Sequence, residues 1–173
     1  MKKIDTTSWG AFSLGELFDI IKGSRLTKQD MIDGAINYIG ATAFNNGITA
    51  KIGNTEKIHP AGTLTVTYNG SIGQTFYQEE PFWATDDVNV LYPKFKMDKY
   101  IALFIASLIK VVGKNYAYTD KWQIEDMKKS LIKLPMDSYG QPDWEYISEY
   151  MLNLESKAQN IVNQIVKIGG GVD

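Results

Sequence analysis

The sequence of 173 residues contains no cysteine and only one histidine, His59. Without cysteine the chain forms no disulfide bond, carries no thiolate nucleophile and builds no cysteine-ligated zinc site. A single histidine cannot by itself build a histidine metal centre. These absences exclude several classes of metalloprotein and thiol enzyme, and the lack of disulfides fits a reducing compartment.

Long apolar runs are also missing from the sequence. No stretch reaches the roughly 18 apolar residues that a membrane-spanning helix needs. The beginning of the chain shows neither the continuous apolar run nor the small-residue cleavage site of a secretory signal peptide. We therefore expect a folded, cytoplasmic protein, whose 44% hydrophobic residues suffice for the core of one domain plus an appendage.

The chain lacks a strong charge of either sign. Its net charge of -2 argues against binding nucleic acid through bulk positive charge alone, because lysine and arginine supply most phosphate contacts. Local basic groups occur at Lys22, Arg25 and Lys28 and at Lys94, Lys96 and Lys99, whereas acidic residues concentrate elsewhere, at Glu79, Glu80, Asp86 and Asp87. A solvated surface of mixed charge explains any one of these clusters equally well.

What the sequence does contain, from about residue 13 to residue 92, is a series of short strand patterns separated by glycine and asparagine turns. Apolar residues alternate with threonines over 64–68, and the same alternation recurs over 88–92, so each segment predicts a strand with one face on a core. Turns are predicted at 45–47 and 69–73, because asparagine and glycine tolerate the positive φ of tight or close-approach loops.

Helical spacing replaces this alternation further along the chain. An amphipathic helix is predicted over 97–112, and a short helix followed by a strand is predicted over 121–135. The stripe of the first helix comprises Met97, Ile101, Phe104, Leu108 and Val112. Together these patterns predict an α+β fold, with a globular domain built on a twisted mixed or antiparallel sheet.

The last segment of the chain carries a heptad seam. Its apolar members are Ile147, Met151, Leu154, Ala158, Ile161, Ile165 and Ile168. They predict a long coiled-coil-type helix over 143–168, roughly 33 Å in length, capped by Asp143 and stopped at 169–171 by glycines. Packing onto the chain's own domain is one way to bury this seam, but its regularity favours a partner helix from a second copy or another subunit.

Signatures of catalysis are absent or fail on geometry. Pro142-Asp143 followed by Glu155-Ser156-Lys157 fits the loose template of metal-dependent nucleases, but Glu155 and Lys157 point about 200° apart on a helix. The Asp86-Asp87 pair lacks a third metal ligand at supporting spacing, and the phosphate-loop, nucleophile-elbow and methyltransferase motifs are missing. We expect no catalytic residues, no metal and no cofactor in this chain.

Polar turns remain as candidates for contact with DNA. Asparagine pairs with adenine, arginine pairs with guanine, and serine, threonine and lysine contact both base edges and phosphates. Turn geometry alone explains Asn46 and Asn69 equally well, and core packing is the favoured role of Trp122 in the aromatic and basic stretch at 114–122. The candidate contacts are Lys22, Ser24, Arg25, Thr27, Lys28, Asn45, Asn46, Tyr68, Asn69, Ser71, Tyr118 and Lys121.

In order and spacing, these segments resemble the specificity subunit of type I restriction-modification systems and the recognition domains of fused restriction-methylation enzymes. The matching stretches are LGELFDIIKG at 14–23, RLTK at 25–28, YIGAT at 38–42 with NNG at 45–47, GTLTVTYNGSIG at 62–73, FWATDDVNVLY at 82–92, YTDKW at 118–122, Leu134-Pro135 and DWEY at 143–146. The resemblance covers nearly the whole chain.

The resemblance implies a target recognition domain at 1–138 and a helical spacer and dimerisation element at 143–168. It implies that the chain binds one half of a split site in double-stranded DNA and docks a methyltransferase subunit, with a restriction subunit as a further partner. The methyltransferase, rather than this chain, would bind S-adenosylmethionine and flip the target adenine.

The chain departs from the family pattern in one respect. A full specificity subunit resembles two recognition domains and two helices, whereas this sequence carries one of each. The chain is then either a half-subunit, for which we predict a homodimer through the seam, or a piece of a longer protein. A different interpretation, which the acidic balance permits, is an interaction or inhibitor protein that mimics a specificity subunit without binding DNA.

Overall fold

The computed structural model describes residues 5–116 and 121–169, the last three by their backbone only. The strands are β1 (Gly10–Ser13), β2 (Phe18–Lys22), β3 (Ile36–Ile39), β4 (Ile48–Ile52), β5 (Thr63–Thr67), β6 (Thr75–Gln78), β7 (Phe82–Ala84), β8 (Val88–Pro93) and β9 (Leu131–Leu134). The helices are α1 (Leu14–Leu17), α2 (Lys99–Gly113), α3 (Ile124–Lys129) and α4 (Trp144–Gly169).

The strands form two stacked sheets and a separate pair. A four-stranded antiparallel sheet has the order β2-β8-β5-β6, and a three-stranded sheet has the order β4-β3-β7. Within the second sheet β3 is antiparallel to β4 but parallel to β7. Strands β1 and β9 pair antiparallel beside them. This arrangement confirms the predicted α+β class with mixed and antiparallel sheets.

The four-stranded sheet is buried on both faces, although the alternation predicted one core face for each strand. Leu64 and Val66 of β5 pack in a core with the helices. Thr65 lies opposite Val90 of β8 and therefore points to the other face, where Val88 and Val90 pack against the three-stranded sheet. The threonines of β5 occupy this second interface because β5 is a central strand covered from both sides.

Helix α2 confirms the predicted amphipathic helix, with a small shift. Its N-cap is Asp98, whose Oδ1 accepts a hydrogen bond of 2.8 Å from the backbone N–H of Ile101. The most deeply buried side chains are Ala102, Ile105 and Ile109, so the buried stripe lies beside the predicted one. The shift follows from the packing, since α2 is covered by β6 and β9 as well as by α4.

Helix α3 and strand β9 confirm the helix and strand predicted over 121–135. Trp122, directly before α3, is completely buried, and its Nε1 donates to the hydroxyl of Ser130 at 3.1 Å. Its ring stacks on Tyr116 at a centroid distance of 5.1 Å. The indole therefore belongs to the core, as the sequence favours.

The first half of α4 packs on the chain's own domain. Oδ1 of Asp143 accepts from the backbone N–H of Tyr146 at 2.9 Å, which is the predicted cap. Ile147 is fully buried, and the Ser148 hydroxyl donates to the Asp98 carboxylate at 2.6 Å. Ile147, the first residue of the heptad seam, is therefore buried within the chain itself.

The second half of α4 projects from the domain. Every described side chain from 155 to 166 is exposed, including Ile161 at 57% and Ile165 at 63%. The side chain of Ile168 and the glycines at 170 and 171 lie outside the described residues, so the predicted helix stop remains a prediction. No helix in the ranges given above is long and apolar enough to cross a membrane.

His59, the single histidine of the sequence, is buried beside β7. It pairs with Phe82 through a backbone bridge, and its ring stacks on the Phe82 ring at 5.3 Å. Its Nδ1 lies 2.5 Å from the hydroxyl of Tyr92. Burial in this position lowers the pKa of His59 below its usual value, because charging the ring there costs solvation energy. The residue is part of the core between the sheets.

Candidate nucleic-acid interface

The loops that carry most candidate residues leave the two sheets at the same edge. In the antiparallel sheet, β2 and β5 end where β8 begins. In the other sheet β3 and β7 are parallel, so the loops that follow them also leave at one edge. We name this region the loop edge and define it as residues 22–28, 40–47, 68–73 and 85–87. Strand topology therefore brings together segments that are far apart in the sequence.

The turn at 85–87 organises the loop edge. Asp86 Oδ2 lies 3.9 Å from Nη1 of Arg25, and the Asp86 carbonyl accepts from the Tyr68 hydroxyl at 2.7 Å. Asp87 Oδ1 accepts from Nδ2 of Asn69 at 2.8 Å. The expectation that these carboxylates lie apart from the basic groups is therefore wrong, because strand pairing places the ends of β2 and β5 beside the start of β8.

Lys22 ends β2 and lies over the ring of Tyr68, with its Nζ 5.4 Å from the ring centroid. A hydrogen bond to the Tyr68 hydroxyl, together with the nearby Asp86 and Asp87 carboxylates, raises the pKa of Lys22 above its usual value. Lys22 and Tyr68 line a cleft of about 210 Å³ together with residues 89 and 123–125. Lys121, which is exposed, precedes residue 123 by two positions.

The segment after β2 is fixed through its backbone. Nε1 of Trp83 donates to the carbonyl of Ser24 at 2.7 Å, and the Ser24 N–H donates to the backbone of β7 at 2.8 Å. Arg25 follows directly, is exposed, and is the single arginine of the sequence. An exposed guanidinium thus follows a residue whose backbone is hydrogen-bonded to β7.

Thr27 and Lys28 continue this segment in different roles. The Thr27 hydroxyl donates to the Asp30 carboxylate at 2.5 Å, and its carbonyl accepts from the Asp30 N–H at 3.0 Å. This double contact closes a local turn and already engages the hydroxyl donor. Lys28 is exposed and enters no ion pair within the described chain.

The hairpin loop between β5 and β6 confirms the predicted close approach. The hydroxyl of Thr67 donates to the carbonyl of Ser71, which closes the loop. Gly73 adopts a left-handed φ of 80° and lies against Gly113 at the end of α2. A Cβ on Gly113 would lie 2.5 Å from the Gly73 Cα, so neither position has room for a side chain. Two glycines therefore hold Ser71 and its neighbours on the end of α2.

The loop after β3 confirms the turn predicted at 45–47. Asn45, Asn46 and Gly47 have left-handed φ values of 49°, 52° and 81°. Nδ2 of Asn45 donates to the Ile48 carbonyl at 3.1 Å, and Nδ2 of Asn46 donates to the Tyr77 carbonyl at 3.1 Å. Both amides thus stabilise the loop itself, and contact of either side chain with a base stays a prediction.

The structure therefore brings Lys22, Arg25, Tyr68 and Asn69 together around one turn, with Ser24 beneath them. Ser71 and the two asparagines lie in the adjoining loops, and Tyr118 lies outside the described residues. Sequence reasoning missed the organising role of the Asp86-Asp87 pair. The signal was present, because two acidic residues at a strand entrance are often held there by nearby donors.

The carboxylates of the nuclease-like pattern make structural contacts in the described part of the chain. Within 5–116 and 121–169, no three histidine, aspartate or glutamate side chains converge as a metal site. Glu155 of the nuclease-like pattern accepts from the Tyr100 hydroxyl at 2.8 Å and lies 3.7 Å from Lys99 Nζ. Asp143 of the same pattern caps α4. These contacts assign both carboxylates to packing of the helix.

Comparison with known proteins gives a consistent result. The family model described as the type I restriction modification DNA specificity domain matches residues 7–166. The chain is 37% identical over 158 residues to the specificity subunit S.BcgI of a type II restriction enzyme from Heyndrickxia coagulans, which covers 91% of this chain and 46% of that protein.

Solved structures share the fold at low sequence identity. The type I restriction-modification S subunit from M. genitalium aligns over 94% of this chain and 43% of its own, with a TM-score of 0.64 and 16% identity. The HsdS subunit from Thermoanaerobacter tengcongensis has the same TM-score and identity over 41% of its chain. A chain from a study of complex assembly and conformational transition of the type I R-M system reaches 0.68 at 15% identity. The present chain spans less than half the length of each of these relatives.

Proposed function

Because the chain belongs to the family of type I restriction modification DNA specificity domains, we propose that it binds one half of a split DNA target and positions a methyltransferase there. The observation that carries this proposal is the turn at 85–87. Its contacts bring Arg25 and Asn69, from two different segments, to one edge, where Lys22 lies over Tyr68. A duplex is recognised by several side chains that reach it together, and a shared rigid edge provides that arrangement.

The ion pair between Arg25 and Asp86 suits a residue that exchanges partners. At 3.9 Å and with a largely exposed guanidinium, the pair is weak in water. A phosphate or the O6 and N7 atoms of guanine offer Arg25 stronger, bidentate contacts. We propose that Asp86 holds the guanidinium near its binding position in the free protein and that DNA then replaces this carboxylate.

Asn69 has a different role in this proposal. Its Nδ2 already donates to Asp87, whereas recognition of adenine by asparagine uses the amide donor and acceptor together. We therefore assign Asn69 to positioning of the loop, and assign the electrostatic contacts to Lys22, Arg25 and Lys28. Contacts by Ser71 and Lys121 supplement them.

The helix and the partners complete the proposed function. We propose a recognition domain at 1–138 and a spacer at 143–168, whose exposed residues Ile161 and Ile165 pair with the same helix of a second copy. A two-fold assembly of this kind would present two loop edges to a palindromic split site. Adenine methylation and binding of S-adenosylmethionine belong to the partner methyltransferase, and a restriction subunit is the further partner.

The test is a selection of duplexes from a pool with a randomised centre, followed by binding measurements on the selected duplex at several salt concentrations. We expect Arg25→Ala and Lys28→Ala each to weaken binding about tenfold and to reduce the salt slope by about one. Lys133→Ala, an exposed lysine on β9 outside the loop edge, is the matched control and should bind normally.

Two outcomes contradict the proposal in different ways. If both variants bind like the wild type while the chain still selects a sequence, the loop edge is not the DNA-binding surface. If the wild-type chain selects no sequence but still binds its methyltransferase subunit, the inhibitor interpretation replaces the proposed function.

A further inference from the structure

Phe44 lies at the tip of the loop after β3 and is 78% exposed. Its carbonyl accepts from the Gly47 N–H at 2.9 Å, and its own N–H donates to the Thr42 hydroxyl at 3.3 Å. The left-handed Asn45 and Asn46 follow directly, each with its amide bonded to a backbone carbonyl. Single exposed apolar residues are common on protein surfaces, but here the backbone on both sides of the phenyl ring is fixed by hydrogen bonds.

The position of this loop is continuous with the proposed DNA-binding surface. The Thr85 N–H, in the organising turn, donates to the carbonyl of Ile39 at 2.9 Å, directly before the loop begins. Ala41 lies against the hairpin loop, where a Cβ on Gly70 would meet the Ala41 Cβ at 3.7 Å. The start of the loop therefore adjoins both the turn that holds Arg25 and the hairpin that carries Ser71, and Phe44 follows Ala41 by three residues.

The chemistry of the tip restricts what it can recognise. Residues 42–44 are threonine, alanine and phenylalanine, and the Thr42 hydroxyl is already engaged by the Phe44 N–H. In the major groove thymine alone presents a methyl group, and apolar side chains such as phenylalanine contact it. Minor-groove contacts use lysine, arginine, asparagine or glutamine. The loop at 40–47 contains no lysine or arginine, and the amides of Asn45 and Asn46 already donate to backbone carbonyls.

We propose that Phe44 is a specificity-determining residue that contacts the C5 methyl group of a thymine in the major groove of the half-site. This inference rests on the proposed function, since it requires the loop edge to bind a duplex. It adds to that function the identity of one base and the residue that selects it. The contact selects thymine over cytosine through the methyl group and needs no hydrogen bond.

The test compares the full chain with Phe44→Ala, Phe44→Leu and Tyr139→Ala in the randomised-duplex selection. Tyr139 is the matched control, because it is 86% exposed on a rigid turn next to α4 and outside the loop edge. We expect the wild type, Phe44→Leu and Tyr139→Ala to enrich thymine at one position. Phe44→Ala should lose that preference and keep the others, with an unchanged melting temperature.

A second measurement isolates the methyl group. Deoxyuridine in place of the selected thymine removes only that methyl, and we expect it to weaken wild-type binding about fourfold. The same replacement should leave the affinity of Phe44→Ala unchanged, because the contact is already lost.

The inference is overturned if Phe44→Ala enriches the same thymine, if deoxyuridine weakens both proteins equally, or if Phe44→Ala loses affinity uniformly over all sequences. A wild-type chain that selects no sequence overturns this inference and the proposed function together. If the sequence selected by the chain changes with Arg25→Ala but not with Phe44→Ala, only the inference is overturned.

Discussion

The loop edge and the second half of α4 are both exposed, but they differ in where their partners lie. At the loop edge the polar side chains bond to one another, as the contacts of Asp86 and Asp87 with three other loop residues illustrate. On α4 the apolar side chains of Ile161 and Ile165 have no partner within the described chain. The proposed DNA-binding surface is thus held together by contacts within the chain, whereas the second half of α4 exposes apolar side chains that a partner could cover.

This difference has an energetic basis. A loop that recognises a duplex must not spend much of its binding energy on becoming ordered, so internal hydrogen bonds favour tight and selective binding. A helix face that stays exposed keeps about 1.5–3 kcal/mol of burial energy per large aliphatic side chain available for a partner. Mutations at the loop edge should therefore change DNA binding, whereas mutations on the exposed face of α4 should change association with a partner.

The largest effect is expected when the apolar face of α4 is made acidic. The double variant Ile161→Asp and Ile165→Asp should raise the dissociation constant of the dimer at least about 100-fold, because four carboxylates would meet at the interface. Sedimentation velocity measures this change. The selected duplex should still bind to each monomer through its loop edge.

The matched control for this variant lies on the opposite face of α4. Gln159→Asp and Asn163→Asp introduce the same charges about 200° away around the helix and should leave the dimer intact. Equal dissociation of the two double variants, or a wild-type chain that is monomeric at high micromolar concentration, would reject the seam as the interface.

An intermediate effect is expected where the loop edge meets α2. Gly113→Val forces a side chain into the Gly73 backbone and should lower the free energy of unfolding by about 1–3 kcal/mol, while displacing the hairpin that carries Ser71. Urea denaturation measures the loss. Lys114→Val places the same side chain one residue further on, in an exposed position, and should unfold like the wild type. Equal stability of Gly113→Val would show that this contact relaxes easily.

The smallest effect concerns pH and His59, which lies at the end of the sheets away from the loop edge. The pKa of His59 is lowered by burial, so its stabilising contribution is complete above its ordinary pKa of about 6.5 and is lost as the pH falls below that value. His59→Asn should therefore narrow the difference in melting temperature between about pH 7 and pH 5. An unchanged difference would mean that carboxylates alone set the acid sensitivity.

Local signals in the sequence predicted much of this fold. The turn at Asn45-Asn46-Gly47, the cap at Asp143 and the close approach of Gly73 each depend on residue types that suit one backbone geometry, and each is confirmed. The helix α2 was also predictable, because its spacing persists over several turns.

Contacts between distant segments were not predictable in the same way. Threonines that alternate with aliphatic residues suggest a solvated face, yet those of β5 are buried because a second sheet covers them. The gathering of Arg25 and Asn69 by the turn at 85–87 depends on the order of strands in two sheets. A single sequence does not specify that order. The sequence therefore identified the candidate residues by their chemistry, but it did not show which of them lie together.

The contacts at the two ends of α2 have a mechanical consequence. Its cap, Asp98, is tied to Ser148 of α4, and its last residue, Gly113, abuts Gly73 of the loop edge. The helix has 15 residues, which correspond to a span of roughly 22 Å. It therefore fixes both the distance and the relative rotation between the start of α4 and the hairpin loop of the loop edge. One inserted residue would turn its far end by about 100°. Under the proposed function, this insertion should misalign the two half-sites while leaving every side chain of the loop edge unchanged.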